Sequence, residues 1–237
     1  MRTPACRTDD REVPKRSVLR APAGIATYRP VPVGRYGGVS AEQRQAQRRD
    51  RLLTAAVELF GTRGYADTTI QALCDKAGVA LRTFYEEFGS REALLATVYD
   101  RISESVLAKT HGAIEGAGND PRAVVRAGVT AYVEAITSDV KTARILIIET
   151  VGVSPALEKR RREVLNAFVK STEAAALALR DRLPVVEGDD FATMARAFVG
   201  AADGLASEWL LSRGRLSAKR ISDMLILMWM RTLRLER

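Results

Sequence analysis

Apolar residues at Leu52, Leu53, Ala56, Leu59 and Phe60 fall three, four and seven positions apart, the spacing of one buried helix face. Ser40 with Gln43 three residues on has the form of a capping box, so this helix is expected to begin there. Gly61 and Gly64 are expected to end it. Thr68–Thr69 then offers N-caps for a short helix through Ala77, and Gly78 supplies its C-terminal turn. A second short helix, Arg82 to Phe88, ends at Gly89–Ser90, and a long one starts at about Arg91. Beyond it, turn signals at Gly116–Pro121, Ser138–Asp139, Gly152–Pro155, Pro184–Gly188 and Arg213–Ser217 separate five apolar helices. Those helices are expected at Ala123–Thr137, Ala143–Thr150, Leu157–Leu183, Phe191–Leu211 and Ala218–Leu235. No useful length of β-type alternation occurs, so the expected fold is all-α: an N-terminal three-helix unit followed by a helical bundle.

Residues 1–39 depart from this pattern. They hold five of the eight prolines and scattered arginines without periodicity, which reads as a flexible basic arm unable to offset its own ordering entropy. An inert extension is an equally open reading. The expected organisation is therefore an arm over 1–39, a helix-turn-helix domain over 40–90 and a helical domain over 91–237.

Charge sharpens this division. The chain carries +8 overall, but residues 1–51 hold 12 basic and 5 acidic side chains, whereas residues 52–100 hold 4 and 7. The basic excess thus precedes the apolar stripe and includes Arg44, Arg48, Arg49 and Arg51, a placement suited to a polyanionic partner. Two cysteines, Cys6 and Cys74, make neither a disulfide framework nor a metal or redox pair. The lone His111 cannot build a histidine-based metal site, and no cofactor motif is present. The apolar run Met224 to Met230 is too short to span a bilayer, and the N-terminus lacks a signal-peptide core. A cytoplasmic protein without a membrane partner is expected. Nucleophile elbows, P-loops and zinc-protease signatures are all missing, which argues against an enzyme.

The segment Thr69–Phe88 carries a more specific signal. A helix-turn-helix needs a small residue where its helices cross, a turn residue tolerant of positive φ, and an apolar anchor on the second helix. Cys74, Gly78 and Phe84 fill those roles, leaving Gln71, Arg82, Thr83, Tyr85 and Glu87 for solvent or a ligand. By itself this pattern also describes a helical hairpin that binds nothing.

Over residues 45–100 the chain resembles the TetR family of bacterial regulators. The resemblance rests on Ala55-Ala56-Val57-Glu58-Leu59-Phe60, Gly64-Tyr65, Thr68-Thr69, Ala77-Gly78-Val79, Thr83-Phe84-Tyr85, Phe88-Gly89-Ser90-Arg91-Glu92 and Leu94-Leu95. It implies a homodimer on a palindromic double-stranded DNA operator, with one recognition helix per subunit in successive major grooves. By position, Leu81, Arg82 and Thr83 would reach base edges, with Gln71 beside them. Tyr85 would hold phosphate, flanked by Thr69 and Arg91. Arg44 and Arg48 add attraction from the preceding helix. Two positions differ from many members: Ala80 stands at the recognition helix N-cap, and Glu87 stands where histidine is common. Glu87 either accepts a cytosine amine or pairs with a nearby arginine.

The resemblance further implies a small-molecule effector among the central helices, most simply one whose binding releases a repressor from its operator. Phe168, Phe198 and Trp209 are candidate walls, and Glu149 and Asn166 candidate polar anchors. Dimerisation would use roughly 191–211 and 218–235, where small residues at Ala195, Gly200, Ala201, Ala202 and Gly204 permit close approach. The apolar stripe Ile221, Leu225, Leu227, Met228, Trp229 can serve either that interface or the subunit's own core. The competing class is an interaction scaffold that has lost DNA binding, for which the acidic helix-turn-helix is the best argument.

Overall fold

A computed structural model of the chain describes residues 40–184, 188, 190–212 and 215–235. The basic arm expected over residues 1–39 lies outside the described residues, as do parts of the breaks at 184–188 and 213–217. Among the described residues there is no strand, and nine α-helices follow one another. No helix is long and apolar enough to cross a membrane.

Helix α1 (Ala41–Thr62) begins with the expected capping box: Gln43 N donates to Ser40 Oγ at 3.1 Å and Ser40 N donates to Gln43 Oε1 at 2.9 Å. It ends one residue past Gly61, at Thr62. That glycine lies inside the helix because Lys141 packs against it; an added Cβ would sit 2.4 Å from the Lys141 Cβ. The turn comes at Gly64, at φ +95°. Thr69 caps α2 (Ile70–Ala77), accepting from Ala72 N at 3.1 Å. Gly78 follows in the left-handed region, and α3 (Leu81–Phe88) starts at Ala80, which provides no side-chain cap. Ser90 caps α4 (Arg91–Gly116), and Asp120 caps α5 (Pro121–Thr137), with Pro121 in the first turn.

The later helices show three departures from the expected bounds. Helix α6 (Val140–Arg144) starts earlier than Ala143, because Asp139 caps it by accepting from Lys141 N. It then passes into a π turn, Ile145–Glu149. Helix α7 (Pro155–Ala178) ends before Leu183; a 3₁₀ turn at Arg180–Arg182 follows, and Leu183 is extended ahead of Pro184, as a residue before proline prefers. After α8 (Phe191–Leu211), α9 (Ala218–Thr232) stops short of Leu235, and Leu233 and Leu235 fold back into the core.

Two cores hold these elements. Leu52, Leu53, Leu59 and Phe60 of α1 pack with Leu73 and Phe84 of the helix-turn-helix, and the same cluster takes in Leu94, Leu95 and Val98 of α4, Ile145 and Leu157. The first three helices thus share a continuous core with the bundle. The second core joins Val125, Val129 and Val133 of α5 to Ile221, Leu225 and Trp229 of α9. Ile221, Leu225 and Trp229 therefore belong to the subunit interior rather than to an outer face. Their complete burial contributes about 2 kcal/mol each.

Candidate nucleic-acid interface and central cavity

The helix-turn-helix is held from below by its apolar side. Cys74 and Phe84 are buried where α2 and α3 cross, and burial pushes the Cys74 thiol up from its ordinary pKa. Arg49 fixes the far end of α3. Its guanidinium donates to the Glu87 carbonyl at 2.9 Å, lies 4.3 Å over the Phe88 ring and stands 4.0 Å from the Glu87 carboxylate. That carboxylate is only 5% exposed, so Glu87 pairs with arginine in a covered position and faces neither solvent nor a groove. Arg51 donates to the Gly78 carbonyl at 3.4 Å. Two of the four α1 arginines therefore brace the motif, while Arg44 and Arg48 sit half-buried on the N-terminal half of that helix.

The outer face of the motif brings most of the remaining candidates together. Leu81 is 44% and Tyr85 52% exposed, high values for side chains of that size. Arg82 stands out in solvent with only Glu86, one turn on, as partner at 2.7 Å. Gln71 donates to Asp75 at 2.7 Å, again within its own helix and exposed. Thr83 is half-buried beside Phe84. Thr69 uses its hydroxyl as the α2 cap. Arg91 is more committed: it donates to the Thr68 and Ala66 carbonyls and stacks 4.2 Å over the Tyr65 ring, fastening the α1–α2 loop to the start of α4.

A second set of contacts ties that loop to the bundle. Glu149, at the end of the π turn, accepts from Tyr65 N at 2.6 Å and from Arg144 Nε at 2.7 Å. Arg144 also donates to the Thr62 carbonyl at 3.0 Å. Lys141 donates to Glu58 at 2.5 Å, and this hydrogen bond holds the Glu58 carboxyl below its ordinary pKa. These long-range partners, more than eighty residues apart, left no local sequence signal.

Between α4, α5, α7, α8 and α9 lies a cavity of about 1160 Å³, counting its open mouth. Phe168 and Phe198 are in its wall. The two candidate polar anchors and the third candidate wall residue are elsewhere. Glu149 is spent on Tyr65 and Arg144; Asn166 is exposed and accepts from Arg196 at 3.2 Å; Trp209 packs between the cores and does not line the space. The indole in the wall is Trp229, stacked on Phe198 with ring centroids 4.6 Å apart. Tyr132 meets Phe168 edge-on at 5.9 Å. Burial pushes the Tyr99 and Tyr132 hydroxyls up from their usual pKa, with Arg161 opposing it at Tyr99 and Asp203 adding to it at both, so both remain protonated donors. The π turn adds Leu146 and Ile147 to the same wall. Asp203, Tyr132 and the π turn were not foreseen; Asp203 in particular reads as an ordinary polar position within a run of small residues.

A helix-turn-helix with an exposed recognition face, on a helical bundle enclosing a cavity, defines a DNA-binding regulator of the bundle type. Residues 52–98 match the family model described as bacterial regulatory proteins, tetR family. The HTH-type transcriptional regulator EthR of Mycolicibacterium smegmatis is 26% identical over 166 residues, 70% of each chain. TcmR of Streptomyces glaucescens is 35% identical over 85 residues, 35% of this chain and 37% of that one. The chain thus spans little over a third of TcmR. Among solved structures, FadR of Bacillus subtilis in complex with stearoyl-CoA superposes with a TM-score of 0.69 at 16% identity, covering 79% of this chain and 99% of that one. FadR of Bacillus halodurans gives 0.68 at 18% identity, over 76% and 94%. Residues 52–98 thus match the DNA-binding region of the tetR family of bacterial regulatory proteins, and the relatives found over more of the chain are transcriptional regulators.

Proposed function

We propose that the protein is a homodimeric repressor that binds a palindromic operator and is released by a small-molecule effector held in the central cavity. The observation that carries this reading is the π turn. Leu146 and Ile147 form part of the cavity wall, and two residues on, Glu149 grips the Tyr65 amide at the entry to the helix-turn-helix. An occupant that displaces the wall moves the strap on which the motif hangs, alongside any shift of α4. π turns are a common place for such adjustment.

Operator contact is assigned to Leu81, Arg82 and Thr83 at base edges, with Gln71 beside them and Tyr85, Thr69, Arg44 and Arg48 on phosphates. Arg91 offers phosphate only those N–H groups not used on Ala66 and Thr68. The intrahelical partners of Arg82 and Gln71 are exposed and exchange for bases at small cost. The dimer face is assigned to the outer sides of α8 and α9. Nothing in the subunit lies within 4 Å of a Cβ added at Gly200 or Gly204, and Leu211, Met224 and Leu227 are exposed beside them. An apolar face of that kind is a poor solvent boundary and a good helix-packing surface.

The test is a thermal-shift screen paired with anisotropy of a labelled duplex from the promoter beside the protein's own gene. Compounds that raise the melting temperature are expected to displace the duplex, since effector and DNA stabilise different states. Compounds that bind in the cavity and leave the duplex in place contradict the reading.

A further inference from the structure

The cavity's charge identifies the chemistry of its occupant. Of its wall residues, Asp203 of α8 alone is charged at neutral pH; no lysine, arginine or histidine lines it. The Asp203 carboxylate has no hydrogen-bond or ion-pair partner among the described residues, and its neighbours Ala202 and Ala206 are buried. Asp203 is itself half-buried, so a cationic group reaching it from the cavity would gain a charge-assisted partner. Ser103, Thr110 and Thr172 donate to helix carbonyls, Ser171 pairs with His111, and neither the Tyr99 nor the Tyr132 hydroxyl is hydrogen-bonded to Asp203. Arg161 of α7 is not among the wall residues, although it lies close enough to Tyr99 to act on its hydroxyl; its guanidinium is on Glu158 at 3.4 Å and its Nε is buried without a partner.

We propose that the cavity takes a cationic amphiphile, an apolar body bearing one ammonium group, with Asp203 as its counter-ion. The stacked Phe198–Trp229 pair and the Tyr132–Phe168 pair supply aromatic surface on which such a cation is further stabilised. The same charge excludes anionic heads. A carboxylate inside this wall would meet Asp203 in a medium that screens poorly, so the acyl thioester held by Bacillus subtilis FadR is not the model for this occupant. This assignment rests on the cavity being the effector site proposed above and names the class of effector it takes.

The experiment is calorimetric titration of the full chain, without DNA, against decyltrimethylammonium, decanol, decanoate and decanoyl-CoA, each below its micelle-forming concentration. The cation is expected to bind at least tenfold more tightly than the alcohol, and decanoate more weakly still. Asp203→Asn is expected to bring the cation down to the alcohol's level while leaving the alcohol unchanged, which also shows that the variant is folded. Decanoate or decanoyl-CoA binding best, no cation binding up to millimolar concentration, or a cation affinity indifferent to Asp203→Asn each overturns the proposal. Preferred decanoate binding that is lost in Arg161→Gln overturns it in favour of an anion anchored at the α7 end. Promoter release is measured separately. A cation held by Asp203 that leaves the duplex bound contradicts the repressor reading and leaves this one standing. Release by decanoate or decanoyl-CoA sinks this assignment and supports the repressor.

Discussion

Gly61 shows how a single atom decides a packing arrangement. Gly61 is the next-to-last residue of α1, where a glycine costs the helix little. It is retained because the backbone of Lys141 approaches so closely that an added Cβ would lie 2.7 Å from the Lys141 Cα. Gly61→Ala is therefore expected to destabilise the fold by a net of about 2 kcal/mol, lowering the melting temperature by roughly 4–8 °C. Gly112, in α4 with nothing within 4 Å of its Cβ position, is the control. Gly112→Ala should raise the melting temperature slightly, and equal losses for the two would refute the close-approach account. From sequence, Gly61 followed by Gly64 reads as a helix end, and α1 does end there; that position 61 admits no side chain is visible only from a contact eighty residues away. Gly78 was legible because its requirement is local: a left-handed turn residue between two short amphipathic helices. Glu87 was legible in part, since pairing with an arginine could be foreseen, but its burial by Arg49 and Phe88 depends on a helix 38 residues earlier.

At the scale of elements, the helices were readable wherever a cap and an apolar stripe coincide. Ser40, Asp120–Pro121 and Ser154–Pro155 each begin a helix where the side chain accepts a free backbone N–H. The π turn was not readable, because Ile145-Leu146-Ile147-Ile148 suits a buried α-helix equally well. Its consequence is mechanical, since one turn carries both cavity wall and strap. Glu149→Ala removes the acceptor for Tyr65 N and for Arg144, and about 2–3 kcal/mol of stability is expected to go with it. Glu149→Gln keeps an acceptor for the Tyr65 amide and loses the charge on Arg144, so its stability loss should be smaller. Both variants are expected to bind effector with unchanged affinity and to release operator less completely when it binds, read by calorimetry and anisotropy on the same preparation. Full release by either variant would remove the π turn from the signalling route.

For the whole molecule, the acidic character of residues 52–100 means that the motif by itself is poorly charged for DNA. On the proposed reading, affinity comes from two subunits acting together and from the arginines that precede the apolar stripe, while α3 supplies selectivity. The dimer sets the spacing: two recognition helices reach successive major grooves only if held about 34–36 Å apart. The bundle's division of labour follows, with an inner side of α9 closing the core, an outer side of α8 and α9 left small and apolar, and a cavity between. Which residues line that cavity was the least legible part, because inward and outward turns of a long apolar helix have similar composition. The most direct measurement is anisotropy of the promoter duplex titrated with the full chain from 50 to 200 mM salt, with stoichiometry fixed by sedimentation. The account predicts two chains per duplex and an affinity that falls steeply and log-linearly with salt, losing on the order of 10³-fold or more over that range. Absent binding, or binding indifferent to salt, would contradict it and leave a helical scaffold in its place.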